Sequence, residues 1–286
     1  MSDTISSPQH YESQDAKFYI AVTVRAAVTA FLAIVSRDLL VTRREALTFL
    51  LQTLIQPLFF LFIFGKVLST IGAANRGFSV LLLPGIVAFT VVQTALQGIS
   101  IDLARDLSFT REIDDRLLAP LPITLVAIEK VLLAALRGLI AGAVIFPLGY
   151  VILGSGFQVR TDLLGVLLGL MVLAALMGAA LGLLLGVAVP IEKGSLIFSL
   201  VLTPLIFTGC TYYPWASLGA IKWFQILTLF NPLTYASEGM RYAMIPPLHG
   251  QQLPTLGTGW VVLALSTCLI LCLWVGLKLF QRRVVS

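Results

Sequence analysis

Charged side chains make up only 12% of this 286-residue chain, against roughly 25% in a water-soluble globular domain. Hydrophobic residues account for 58% and the mean hydropathy is +0.96, so water is excluded as the solvent for most of the surface. Lipid must take its place. Histidine occurs only as His10, in a polar tail, and His249, in a loop; no cysteine or carboxylate spacing around them suits a metal site or a nucleophile. Three cysteines are too few for a disulfide framework: Cys210 stands alone, and Cys268 and Cys272 lie one helical turn apart in an apolar run. They read as packing residues. No GxxxxGK[ST] phosphate loop exists, because the only Gly-Lys pair, Gly65-Lys66, lacks the earlier glycine. The chain cannot hydrolyse ATP by itself. The first twenty residues, MSDTISSPQHYESQDAKFYI, lack the apolar core of a cleaved signal. The formal charge of +5 forms no continuous basic face, which argues against a nucleic-acid partner.

What is present is a series of long apolar runs. A bilayer core of about 30 Å needs roughly 20 apolar residues per helix, and every backbone polar group in it must be paired within the protein. The runs lack the alternation of a lipid-facing barrel, so the fold class is all-α integral membrane. Six transmembrane helices are expected over residues 46–68, 78–101, 126–153, 163–189, 195–213 and 258–280. Residues 1–16 form a polar tail. Over 17–45, Ala21, Val24, Val28, Phe31, Leu32 and Val35 recur at helical spacing while Arg25, Arg37 and Asp38 stay polar, the pattern of an N-terminal interfacial amphipathic helix. Residues 46–286 then form a single six-span domain. Lys17, Arg25, Arg37, Arg43, Arg44, Arg105, Arg111, Arg116, Lys130, Lys193, Lys278, Arg282 and Arg283 fall on the side of the termini, and Lys66, Arg76, Arg160, Lys222 and Arg241 on the other. Both termini are therefore expected in the cytoplasm.

Two connections stand out. The loop 102–125 carries the densest charge in the chain, with acidic and basic residues nearly balanced, and reads either as a solvated connector or as a helix that docks on a cytoplasmic protein. The segment 214–257, between the fifth and sixth spans, holds Trp215, Trp223, Phe224, Phe230, Tyr235 and Tyr242 among prolines and glycines. Aromatics of this kind favour the membrane interface, and Pro232 and Pro246-Pro247 would bound short helices. Two short, half-buried helices are expected there.

Within that segment the run NPLTYASEGMRYAMI, from Asn231 to Ile245, resembles the signature of type-2 permease subunits of ATP-binding-cassette (ABC) exporters. The run RLLAPLPITLVAIEK resembles that family's stretch leading into the third span, and the layout matches over nearly the whole chain. The resemblance implies a short re-entrant external segment before the last span, with Asn231, Pro232, Tyr235, Glu238 and Arg241 at an external gate. It implies a coupling helix in the loop 102–125, where Arg105, Asp106, Arg111, Glu112, Asp114, Asp115 and Arg116 would meet ABC ATPase subunits. ATP and magnesium would be bound by those partners, and no cofactor by this chain. A second permease chain, identical or paralogous, would complete the pathway in a bacterial inner membrane. Substrates of such permeases include amphipathic drugs, lipids and lipo-oligosaccharides; daunorubicin-type and nodulation-type exporters are closest in size and pattern.

Several polar groups lie inside the spans. Gln52 and Gln56 share a face of the first span, and Gln93 and Gln97 a face of the second; interhelical bonds between such groups serve packing or line a polar pathway. The resemblance, which sets the first, second and fifth spans along the route, makes Gln52, Gln56, Gln93, Gln97, Thr203 and Thr208 the pathway candidates. Arg137 is the one charge well inside a span, either snorkelling to the cytoplasmic leaflet or contacting an anionic headgroup. Gly178, Gly182 and Gly186, with Gly165 and Gly169 before them, form a small-residue ridge for close packing. Glu238 and Arg241 can pair on one helical face at the outer surface, as a clamp or as a gate. A stand-alone secondary transporter or channel is the competing class, but no Asp or Glu lies at midspan and no inverted repeat is found.

Overall fold

The computed structural model describes residues 29, 36–37, 40, 42, 48–72, 77–105, 123–154, 157–189, 194–247 and 253–285. The tail 1–16, nearly all of the expected interfacial helix and most of the loop 102–125 lie outside these residues. Among the described residues the fold is all-helical, and five helices are long and apolar enough to cross a membrane. In chain order they are α1 (Thr48–Thr70), α2 (Phe78–Arg105), α3 (Ile123–Leu153), α4 (Leu164–Ala188) and, last, α8 (Thr258–Val285). Between α4 and α8 lie α5 (Gly194–Thr208), a 3₁₀ turn (Trp215–Ala220), α6 (Lys222–Thr228) and α7 (Pro232–Met244).

The fifth expected span is shorter than the sequence reading had it. At 15 residues an ideal helix reaches only about 22 Å, short of a bilayer core. The chain leaves helical geometry at Gly209 and Cys210, the latter in left-handed backbone with φ 49°. A side chain at position 209 would strike the Leu205 carbonyl oxygen and the Leu233 side chain at 2.6 Å, so α7 packs directly on the turn that ends α5.

Helix α2 is the axis of the bundle. It packs on α1, α3, α4 and α7, and from Leu82 to Leu96 nearly every side chain is buried. Its position follows from glycine. On α4, a Cβ at Gly178 would stand 2.7 Å from the Val92 carbonyl oxygen and one at Gly186 3.2 Å from Ser100 Cα, while one at Gly182 would collide with the Leu96 carbonyl oxygen. Ser100 Oγ donates to the Gly182 carbonyl at 2.8 Å across this contact. The expected ridge therefore exists, but only in part: Gly165 and Gly169 face open space, because they lie about half a turn round α4 from Gly178. A second ridge, Gly138 and Gly142 on α3, presses on Val91 and Ala95 from another side. Interfaces without a hydrophobic drive in lipid depend on such close approach.

The outer helices keep apolar faces uncovered. Leu51, Ile55, Phe59 and Phe62 on α1, and Trp260, Leu263, Ile270, Leu271 and Trp274 on α8, are exposed. In water this much apolar surface would cost about 25 cal/mol per Å², so it belongs against lipid or another chain. Where α4 ends, Arg283 of α8 donates to the carbonyl oxygens of Val187 at 2.6 Å and Val189 at 3.4 Å, which satisfies a helix C-terminus with a cation.

Candidate functional site

Polar side chains collect at several places among the described residues; of the three that hold predicted site residues, the most enclosed is built on α7. Asn231 starts this helix: its Oδ1 accepts from the Leu233 backbone N–H at 2.9 Å, and Pro232 takes the first helical position, where no N–H is needed. The amide nitrogen of Asn231 donates to the Leu205 carbonyl and to Thr208 Oγ1, both at 2.8 Å. Thr234 Oγ1 donates to the carbonyls of Thr228 at 2.7 Å and Thr208 at 3.1 Å, and Tyr235 OH to that of Leu229 at 2.9 Å. Each polar residue of NPLTY thus ties α7 to the end of α5 or to the turn before α7. At the other end Ile245, extended because Pro246 follows, stops the helix. The Met244 carbonyl there accepts the Arg160 backbone N–H at 2.8 Å.

Glu238 and Arg241 lie within this helix, and the structure corrects their expected setting. They are not at the outer surface: their side chains are 0% and 1% exposed. Arg241 Nη1 donates to Glu238 Oε1 at 2.8 Å, Nη2 to the Thr211 carbonyl at 2.9 Å and Nε to the Leu81 carbonyl at 3.2 Å. Glu238 Oε1 also accepts the Trp215 backbone N–H at 3.0 Å. One guanidinium therefore joins α7, α2, the turn after α5 and, through Glu238, the 3₁₀ turn. Gly85 makes room for it, since a Cβ there would collide with the Thr211 carbonyl and lie 2.9 Å from Arg241 Nη2. Helix α7 is likewise buried on nearly all sides rather than half-buried, packing on α2, α4 and α8.

The second place is the meeting of α1 and α2. Gln93 Nε2 donates to Gln56 Oε1 at 3.3 Å, so one member of each predicted glutamine pair faces the other. Gln52 is exposed and Gln97 half-buried. Of the α5 candidates, Thr203 is exposed and Thr208 bonds to the Pro204 carbonyl and to Asn231, so Thr208 belongs with the α7 ties and not with the glutamines.

The third is the base of α2. Arg137 of α3 donates through Nη1 to Asp102 Oδ2 at 2.7 Å and through Nε and Nη2 to Thr42 Oγ1 at 3.2 and 3.0 Å. Asp102 is the first residue of the charged loop, but nothing in the sequence pairs it with Arg137, 35 positions away. Arg105 closes α2; Asp106, Arg111, Glu112, Asp114, Asp115 and Arg116 lie outside the described residues. Sequence reasoning also missed Gly85, Thr211 and the Leu81 carbonyl. The adjacent pair Pro84-Gly85 was the one available signal: proline removes an N–H from the helix ladder, and glycine marks a close approach.

Comparison with known proteins gives the family. The model of the ABC-2 type transporter family matches residues 29–245. The inner membrane transport permease YadH of Escherichia coli K12 is 27% identical over 238 residues, covering 81% of this chain and 88% of YadH. YadH of Shigella flexneri matches to the same extent. With the family match extending from before α1 to the end of α7, the chain belongs to the ABC-2 type transporter family and is a type-2 ABC permease.

Proposed function

We propose that this chain is the permease half of an ATP-driven exporter in a bacterial inner membrane, carrying an amphipathic drug, lipid or lipo-oligosaccharide out of the cytoplasm or the inner leaflet. Two permease chains, identical or paralogous, enclose the pathway, and two separate ATPase subunits bind ATP and magnesium and supply the energy. Both termini and the loop 102–125 face the cytoplasm, and the fifth crossing consists of α5 continued by residues 209–213. The chain itself performs no catalysis.

The observation that carries the reading is the Arg241 clamp. It couples α7 to α2 and to the end of α5, so a displacement of either helix is passed to the segment that closes the outer end. Asn231, Pro232, Tyr235, Glu238 and Arg241 act there as one body. At the cytoplasmic end Arg137 holds the base of the charged loop to α3, where a push from an ATPase enters. Gln52, Gln56, Gln93 and Gln97 line the route between. Co-expression with candidate ATPase subunits tests the scheme: a complex that co-purifies and hydrolyses ATP in a vanadate-sensitive manner is expected. A chain that binds no ATPase and transports on an ion gradient would overturn it.

A further inference from the structure

The amide of Gln93 is buried and incompletely bonded. Gln93 is 9% exposed, its Nε2 makes one long bond to Gln56, and its Oε1 is buried without any partner. Thr94 Oγ1, next along α2, is also buried and unpartnered. Exchanging oxygen and nitrogen in both amides reverses the bond and still leaves one amide atom of Gln93 orphaned. Buried polar groups are almost always satisfied, and an exception marks a role or a missing partner.

The surroundings say what partner fits. α1 and α2 run antiparallel, so the register that joins Gln56 to Gln93 sets Gln52 and Gln97 at one level, a turn nearer the Asp102 end. Asp102 lies nine residues from Gln93, about 13 Å along α2. At about 100° per residue Asp102 lies on the opposite face of α2 from Gln93, so the glutamines form a short stripe of their own between α1 and α2, apart from the Arg137–Asp102 pair. The described residues of the stripe, Gln52, Gln56, Gln93 and Gln97, are all uncharged, so they offer no charge to an ion. An amide asks for a donor at its oxygen and an acceptor at its nitrogen, and a hydroxyl group is both. Beside the stripe, Leu51, Ile55 and Phe59 of α1 form an exposed apolar face against which an alkyl chain can lie.

We propose that Gln93, with Gln56, is the recognition subsite for a neutral, hydroxyl-bearing amphiphile that lies beside α1. The inference rests on the glutamines lining the route, and it adds the class of cargo. It is tested on the full chain in nanodiscs with three photoreactive probes of one alkyl chain: a diazirine-bearing alkyl glucoside, the matching alkyl sulfate and the matching alkyltrimethylammonium. Saturable labelling of α1 and α2 peptides by the glucoside in preference to both ions is expected. Gln93→Leu should raise the glucoside's half-saturating concentration roughly three- to thirty-fold, the range that one membrane-interior hydrogen bond supports, and leave the ionic probes unchanged. Gln93→Glu should shift the preference towards the ammonium probe, which a merely structural glutamine would not do; Gln56→Leu provides a reading should either Gln93 variant fail to fold. Equal labelling by all three probes, or glucoside labelling that no variant alters, overturns the proposal. Labelling needs no ATPase, so failure of the exporter scheme and failure of the subsite are read separately.

Discussion

The two arginine–carboxylate pairs at opposite ends of α2 have the same chemistry and nearly the same length, 2.8 Å for Arg241–Glu238 and 2.7 Å for Arg137–Asp102, but not the same solvent. The first is 1% and 0% exposed, the second 18% and 37%. A buried pair is held because removing one partner strands the other without water, whereas a half-exposed pair trades its partner for water at little cost. The pair beside α7 is thus the one whose loss strands a buried charge, and the Arg137–Asp102 pair the one that keeps access to its surroundings.

The sharpest way to break this comparison is Arg241→Ala, expected to cost about 3 to 5 kcal/mol because it leaves Glu238 buried and unpaired; equilibrium unfolding of the purified permease measures it. Replacing both partners, Glu238→Leu with Arg241→Met, should recover most of that stability while export stays low, and a double variant no more stable than Arg241→Ala would refute the account of the clamp. Gly85→Ala comes next, at about 1 to 3 kcal/mol for overpacking, since a methyl group has to displace the Thr211 carbonyl. Asn231→Ala removes the cap of α7 and should cost about 1 to 2 kcal/mol in the same measurement.

Arg137→Ala sharpens the contrast from the other side. Its pair should contribute at most about 1 kcal/mol to stability, yet export per ATP hydrolysed should fall, while Arg137→Lys retains part of both. A loss as large as that of Arg241→Ala would mean that the two ends are held alike. The smallest effect belongs to Arg160 and Asp162, between α3 and α4. The Arg160 side chain bonded to Asp162 holds that carboxyl below the usual carboxylate range, so any stabilisation is present above that range and is lost as pH falls. Asp162 is exposed, and Asp162→Asn should leave the unfolding midpoint unchanged at neutral pH.

Much of the architecture was legible because it depends on residue type summed over a stretch. Five of the six expected spans are helices within a few residues of their predicted limits, and Asn231, Pro232 and Pro246 bound α7 as capping rules require. Gly178, Gly182 and Gly186 were visible as a ridge from spacing, and the same spacing sets Gly165 and Gly169 about half a turn round α4, on a face with nothing packed against them. The burial of Glu238 and Arg241 was not legible: two of the three groups that accept from Arg241 are backbone carbonyls, of Leu81 and Thr211, and a carbonyl has no sequence signature. The length of α5 was misjudged because Cys210, Tyr212 and Tyr213 extend its largely apolar run past Thr208, while the backbone turns at Gly209 and Cys210.

The sequence by itself determined the solvent of this protein, its helical class and the outline of its spans, because apolar burial and backbone satisfaction in lipid are non-directional demands that composition alone expresses. Tertiary structure decided which charges meet. Hydrogen bonds and ion pairs act over a few ångströms and at defined angles, so packing alone could bring Arg241 under Thr211, Arg137 to Asp102 and Gln93 to a single, incomplete bond.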